Sequence, residues 1–143
     1  MKWAALIAWL LTAGGGFVML AIWLARGGMR QQREGEARIR PPLILSHFLL
    51  AAAGLVLWII YLANDSHALA WIAFAILAVV ALLGWTMFFI WARQRQRPTA
   101  PAMGADQTTP AEQHFPVSIV ALHGLTAVAT VVLVFLTAVG IGD

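Results

Sequence analysis

The sequence predicts an all-α integral membrane protein: a single domain of 143 residues folded as an up-down bundle of four helices. Three observations predict this class. Hydrophobic residues make up 62% of the chain, charged residues make up only 10%, and the apolar residues form four long uncharged segments. Soluble domains are about 45–50% apolar and about 25% charged, and a small soluble fold could not bury so much apolar surface. The composition therefore excludes a soluble enzyme and a disordered chain.

Each apolar segment is long enough to cross a bilayer, for which a helix needs about 20 residues. None of them contains Asp, Glu, Lys or Arg. Prolines precede the second and fourth segments, and proline suits the first turn of a helix because no helical hydrogen bond is lost there. The first segment ends at arginines, so we expect a retained helix and not a cleaved signal peptide. The predicted helices cover about residues 3–25, 43–63, 69–92 and 117–141.

The basic residues predict how the chain is oriented. Eight of the nine lie in residues 26–42 and 93–116, the two connections on one side of the bundle. The positive-inside rule places both connections in the cytoplasm, and both termini and the turn at 64–68 outside. We expect the bacterial inner membrane, with these charges facing lipid and not nucleic acid. The Pro-rich loop 93–116 is predicted to be flexible, and residues 98–113 to be mobile or in contact with a partner.

Two of the four histidines are candidate ligands because they lie inside apolar segments. A polar ionisable group within a membrane is costly and is a functional-site hypothesis by default. His47 and His123 lie roughly 7 and 10 Å from the predicted starts of their helices. Since the second and fourth helices are diagonal neighbours in such a bundle, the two imidazoles are expected to face each other. His67 and His114 are expected to be solvated and receive no role.

Two facing imidazoles could hold a planar macrocycle through its central iron, which takes one axial ligand on each face. The ring would need small residues on the first and third helices, and glycine allows close approach to a membrane helix. Gly16 and Gly84 lie at a suitable depth for this purpose. Ser46 and Thr126 are expected to orient the histidine rings by hydrogen bonding.

This arrangement resembles the haem-binding four-helix core of membrane b-type cytochromes. The resemblance rests on His47, His123, Gly16 and Gly84 and on the topology. It implies one haem b with His47 and His123 as axial iron ligands, and one-electron transfer without enzymatic activity of the chain alone. It also implies a redox partner, either a quinone or another subunit of a larger membrane complex. Arg40 or Arg38, together with Arg93, are expected to pair with the haem propionates.

Two other interpretations remain open from the sequence. The histidines could be structural, each bonding a polar group on a neighbouring helix, or they could ligate another pigment or metal. The chain would then be a non-catalytic accessory subunit of a larger bacterial membrane complex. The chain has no cysteine, which excludes thiolate ligands and haem attachment through cysteine.

Overall fold

The computed structural model describes residues 1–33, 38–96 and 109–141, and this part of the chain is all-helical. Four of its helices are long and apolar enough to cross a membrane, which suggests a multi-pass membrane protein. Two shorter helices join them. In chain order the elements are α1 (Lys2–Ala25), α2 (Gly28–Arg33), α3 (Pro41–Asn64), α4 (His67–Arg95), a 3-10 helix (Ala111–His114) and α5 (Val117–Ala138).

Local sequence accounts for where the long helices begin and end. The two prolines predicted to open a helix are the first residues of α3, and Pro116 directly precedes α5. The turn between α3 and α4 depends on Asp65, whose φ of 49° lies in the left-handed region that closes many helices. The predicted boundaries differ from the observed ones by up to three residues. The largest differences are that α4 continues to Arg95 and that α5 ends at Ala138.

The long helices pack as two close pairs, α1 with α5 and α3 with α4. The two pairs contact each other mainly through α4 and α5, and more loosely through α1 and α3. Within the described ranges, α3 does not pack directly on α5, nor α1 on α4, so these are the two diagonals. The apolar core fills the half of the molecule near the α3–α4 turn. Its buried members include Ala5, Trp9, Trp58, Tyr61, Ala70, Val134 and Ala138.

Polar contacts hold the end that carries the α3–α4 turn, which we call the turn end. Lys2 forms an ion pair with Asp65, joining the start of α1 to the end of α3. Nearby, the indole Nε1 of Trp58 donates to the carbonyl of Lys2 at 3.3 Å. These contacts fix α1 against α3 where the helix packing alone is loose.

The opposite end, which we call the capped end, is closed by α2 and the 3-10 helix. Gln31 of α2 donates to the carbonyl of Thr109 at 3.1 Å and accepts from the amide of Ala111 at 2.8 Å. Glu112 is completely buried; its Oε1 accepts from the amides of Arg38 and Ile39 and from the side chain of Gln94. These donors reduce the cost of burying a carboxylate.

The loop 93–116 that the sequence predicts to be flexible has helical structure near both of its ends. Residues 93–95 continue α4, and residues 109–116 pack as part of the cap. The prediction that residues 98–113 are mobile or in contact with a partner falls mostly on residues 98–108, which lie outside the described residues. Within residues 109–113, Ala111 and Glu112 are fully buried against the rest of the chain. His114 is half-buried, in contrast to the solvated position expected, whereas His67 is exposed.

The outward faces of the long helices are apolar. Leu49, Leu82 and Leu125 are 62%, 68% and 71% exposed, and many other large apolar side chains share this position. Soluble monomers rarely expose such continuous apolar surface. The surface therefore needs an apolar surrounding, in agreement with four candidate membrane-spanning helices.

Candidate cofactor site between two histidines

The structure brings the two predicted histidines together. His47 of α3 and His123 of α5 face each other across a diagonal of the helix arrangement, and their ring centroids are 6.3 Å apart with the ring planes inclined at 59°. The other two histidines lie elsewhere. His67 packs against Trp71 at the turn end, and His114 belongs to the 3-10 helix of the capped end. The pair thus consists of the two histidines that the sequence singled out.

The position of the His47 ring is determined by the neighbouring helix α4. Its Nδ1 lies 3.0 Å from the carbonyl oxygen of Val80. Because a carbonyl only accepts, Nδ1 carries the proton and donates. The ring also lies against Gly84, where an added Cβ would stand 3.2 Å from Cε1 of His47. Glycine at this position therefore lets the imidazole approach the helix backbone closely.

His123 is held by α1 in the same way. Its Nδ1 donates to the carbonyl oxygen of Thr12 at 2.8 Å. A Cβ added to Gly16 would lie 3.3 Å from Cε1 of His123, and one added to Gly15 would lie 3.2 Å from its Cβ. The close approach thus requires two consecutive small residues on α1, of which Gly16 was predicted.

The two histidines are related by an internal pseudo-symmetry. In each case the carbonyl that accepts from the imidazole belongs to the residue four positions before the glycine that the ring contacts. Residues four apart lie on the same face of a helix. The pair α3–α4 and the pair α5–α1 therefore present equivalent His–Gly contacts towards the centre. Such an arrangement suits a ligand approached from two opposite sides by equivalent groups.

A large cavity surrounds the histidine pair. It has a volume of about 910 Å³ and is lined by all four long helices, which is within the roughly 300–1,000 Å³ of small-molecule and cofactor sites. Apart from the histidines its lining is almost entirely apolar and includes many small residues. Among the lining residues are Gly16, Gly84, Ala51, Ala127, Trp23 and Trp91.

The chemistry of the donor set fits a metal at the centre of a macrocycle. With Nδ1 of each ring protonated, Nε2 is the nitrogen with a free lone pair. When two imidazoles bind one metal from opposite sides, each metal–nitrogen bond is about 2.0 Å long and each nitrogen lies about 1.1 Å from the centre of its ring. The two ring centres are then about 6 Å apart. The observed 6.3 Å matches this separation. Since no group of three or more His, Cys, Asp or Glu converges in the described ranges, the pair supplies only two protein ligands.

The other residues predicted for the site lie elsewhere or act differently. Ser46 is exposed, and Thr126 donates to the carbonyl of Leu122 and contacts that of His123, so neither orients an imidazole. That prediction is wrong because backbone carbonyls of neighbouring helices already take this role. Arg40 and Arg93 are exposed at the capped end and are not among the residues lining the cavity.

Sequence reasoning missed the carbonyls of Val80 and Thr12 and the tryptophans at the capped end of the cavity. A carbonyl partner leaves no sequence signal, because every residue has a carbonyl. The tryptophans do leave one: Gly16 and Gly84 are each followed seven residues later by a tryptophan, Trp23 and Trp91. This repeated spacing places both indoles on the glycine face of their helices, two turns further along.

Comparison with known proteins gives this chain no assigned class. It matches no protein-family model, and neither the search of curated proteins nor that of solved structures returned a match. The interpretation of the site therefore rests on its own geometry and chemistry.

Proposed function

We propose that this protein is a membrane-embedded electron-transfer protein, or subunit, that binds one haem b between His47 and His123. The observation that carries the proposal is the paired geometry of the two rings: each is held through Nδ1 by a neighbouring helix, and their centres are 6.3 Å apart in one cavity. A haem held by both His47 and His123 would supply one-electron transfer between the ferric and ferrous states, and with both histidines bound to the iron no substrate would bind there.

The residues of the chain would contribute binding, orientation and exclusion of water. The carbonyls of Val80 and Thr12 keep the imidazole rings in one tautomer, as the partners of metal-bound histidines usually do. The glycines at 16 and 84 provide room for the rings against the helices. The apolar lining excludes water from the centre. The rigid placement of both rings would limit the rearrangement that accompanies electron transfer.

The surroundings proposed for this site follow from the exposed apolar faces and the charge distribution. We propose an up-down four-helix bundle in the bacterial inner membrane, with the capped end in the cytoplasm and the turn end outside. The redox partner would be a quinone or another membrane subunit. Arg40 and Arg93, exposed at the capped end, remain candidates for pairing with the propionates of the haem.

Absorption spectroscopy of the purified protein tests the proposal. The wild type, produced in haem-replete cells or titrated with haem, should give the sharp reduced α-band of a six-coordinate low-spin haem. His47→Ala and His123→Ala should each lose the haem or leave it five-coordinate and able to bind carbon monoxide. His67→Ala, which removes an exposed histidine, is the matched control and should keep the wild-type spectrum.

Two results would refute the proposal. One is a wild type that takes up no haem, and the other is a low-spin six-coordinate spectrum in both alanine variants. In the first case the histidines would be structural, since their Nδ1 atoms already bond carbonyls of neighbouring helices. An accessory role in a larger membrane complex would then be the remaining interpretation.

A further inference from the structure

Two tryptophans occupy equivalent positions at the capped end of the cavity. Trp23 follows Gly16 by seven residues on α1, and Trp91 follows Gly84 by seven residues on α4. Seven residues correspond to about 10 Å along a helix, so both indoles lie the same distance from the histidine level. Both side chains line the cavity. They therefore repeat the pseudo-symmetry of the His–Gly contacts.

Among the described residues, the indole nitrogens of both tryptophans have no hydrogen-bond partner. Trp23 is 1% exposed and Trp91 is 7% exposed, yet within the described residues the indole Nε1 of neither forms a hydrogen bond. Leaving a buried donor unpaired is costly, and most such groups in proteins are satisfied. Trp58 provides the contrast, since its Nε1 donates to the carbonyl of Lys2.

The missing partner must be an acceptor because an indole nitrogen only donates. A carboxylate is a strong acceptor for such a donor, since its negative charge strengthens the hydrogen bond. The capped end also favours an anion: Arg38 and Arg93 border a small neighbouring pocket, and the guanidinium of Arg95 lies 5.3 Å from the ring centre of Trp91. Among the described residues of this end, Glu112 is buried but does not line the cavity; its Oε1 accepts from the amides of Arg38 and Ile39 and from Gln94, whereas its Oε2 has no partner.

The directions of the two diagonals agree with a planar, dianionic ligand. The line joining His47 and His123 runs from α3 to α5, whereas the tryptophans stand on α1 and α4, at the ends of the other diagonal. A flat ligand held between the imidazoles extends towards α1 and α4. Two acidic groups on its edge at the capped end would each meet one indole.

We propose that Trp23 and Trp91 are the carboxylate-binding residues of the cavity, each donating its indole N–H to one acidic group at the edge of the ligand held between the histidines. This inference rests on the proposed function, for which the acidic groups are the two haem propionates. The tryptophans thereby select a dicarboxylate macrocycle over a neutral one and determine which edge of it faces the capped end.

Titration of the haem-free protein with haem and with haem dimethyl ester, whose acidic groups are esterified, tests this selectivity. The wild type should bind haem at least tenfold more tightly than the ester. Trp23→Phe and Trp91→Phe should each weaken haem binding by about tenfold, the size expected for losing a hydrogen bond to a charged group, and barely change binding of the ester. Trp85→Phe is the matched control, because Trp85 lines the cavity but is 51% exposed.

A second measurement keeps the test decisive if a variant folds poorly. In the wild type, the indole N–H resonances of Trp23 and Trp91 in ¹⁵N NMR should move downfield when haem is added, and less with the ester. Circular dichroism of the haem-free variants checks that they are folded, because replacing a buried tryptophan by phenylalanine also leaves a cavity.

The possible outcomes separate this inference from the proposed function. If the wild type binds haem and ester equally, or if a variant carrying both Trp23→Phe and Trp91→Phe binds haem as tightly as the wild type, the tryptophan assignment is wrong while the haem site stands. If the wild type binds neither compound, both proposals fail. If the tryptophan variants lose affinity for haem and for the ester to the same extent, the tryptophans only shape the cavity and the assignment is overturned.

Discussion

At the scale of single residues, the contact between an imidazole and a glycine determines the geometry of the site. The rings of His47 and His123 lie so close to α4 and α1 that a side chain of one carbon would press on them. Glycine normally costs a helix about 1 kcal/mol relative to alanine. Its presence here is explained by the space that the imidazoles need.

Gly84→Ala should therefore push the His47 ring away from α4 by a few tenths of an ångström, since the added Cβ would lie 3.2 Å from Cε1. We expect the haem-loaded variant to show altered low-spin g-values in electron paramagnetic resonance. Gly16→Ala should have the equivalent effect on His123. Gly14→Ala is the control, because nothing lies within 4 Å of its added Cβ; it should keep the wild-type g-values and gain up to about 1 kcal/mol in stability. An unchanged spectrum in Gly84→Ala would mean that this contact does not orient the ring.

The sequence predicted the two histidines and the two glycines of this contact because polar and very small residues stand out within apolar segments. It did not predict what the imidazoles bond. Ser46 and Thr126 were plausible partners by residue type, but Ser46 is exposed and backbone carbonyls act in their place. Which carbonyl lies within reach depends on helix rotation and spacing, and those are determined only when the helices pack.

At the scale of secondary-structure elements, the cap was the feature that sequence reasoning did not predict. Its helices α2 and Ala111–His114 have six and four residues, too few to be stable alone in water. They form here through Gln31 and Glu112, whose side chains bond backbone groups of distant segments. Such partners cannot be identified from local periodicity.

Glu112→Ala should destabilise the protein by about 3 kcal/mol, because it leaves the amides of Arg38 and Ile39 and the amide group of Gln94 without their acceptor in a buried place. Glu112→Gln retains an acceptor oxygen and should recover most of the loss. Thermal unfolding in detergent, followed by circular dichroism, gives the comparison. Gln113→Ala, a change at the half-buried neighbour, serves as the control. Equal stability of Glu112→Ala and Gln113→Ala would show that the cap is not held by this carboxylate.

The start of α2 lies directly on the indole of Trp23. A Cβ added to Gly28 would lie 2.1 Å from Cε2 of Trp23, so Gly28→Ala must displace either α2 or the indole. We expect a loss of about 1–3 kcal/mol in stability, as for other overpacked sites, together with altered Trp23 fluorescence. Met29→Ala, at an exposed neighbouring position, should change neither quantity. Wild-type stability and fluorescence in Gly28→Ala would show that the contact is not tight.

At the scale of the whole molecule, hydrophobic length alone predicted the four long helices, and their bounds shifted by three residues at most. The signal is strong because a membrane requires long uncharged segments. The diagonal relation of the two histidine-bearing helices was also predicted, and the helix contacts agree with it. Orientation in a membrane stays a prediction, which rests on where the arginines lie.

Cysteine labelling tests that orientation, and the chain offers a clean background because it contains no cysteine. Met29→Cys, at an exposed site of α2, should react with a membrane-impermeant maleimide only after the cells are opened. His67→Cys, at the exposed turn end, should react in intact cells. The reverse pattern would invert the topology, and labelling of both in intact cells would exclude a cytoplasmic cap.

The bonds from Nδ1 to the two carbonyls also have a consequence for protons. Cysteine or protonated histidine must lose a proton before it can ligate a metal, so metal binding commonly releases acid into the solution. Here each imidazole keeps its proton on Nδ1, bonded to Val80 or Thr12, and offers a nitrogen that is already free. Loading the site should therefore release almost no protons near neutral pH. The heat measured by calorimetry should be the same in two buffers of different ionisation enthalpy.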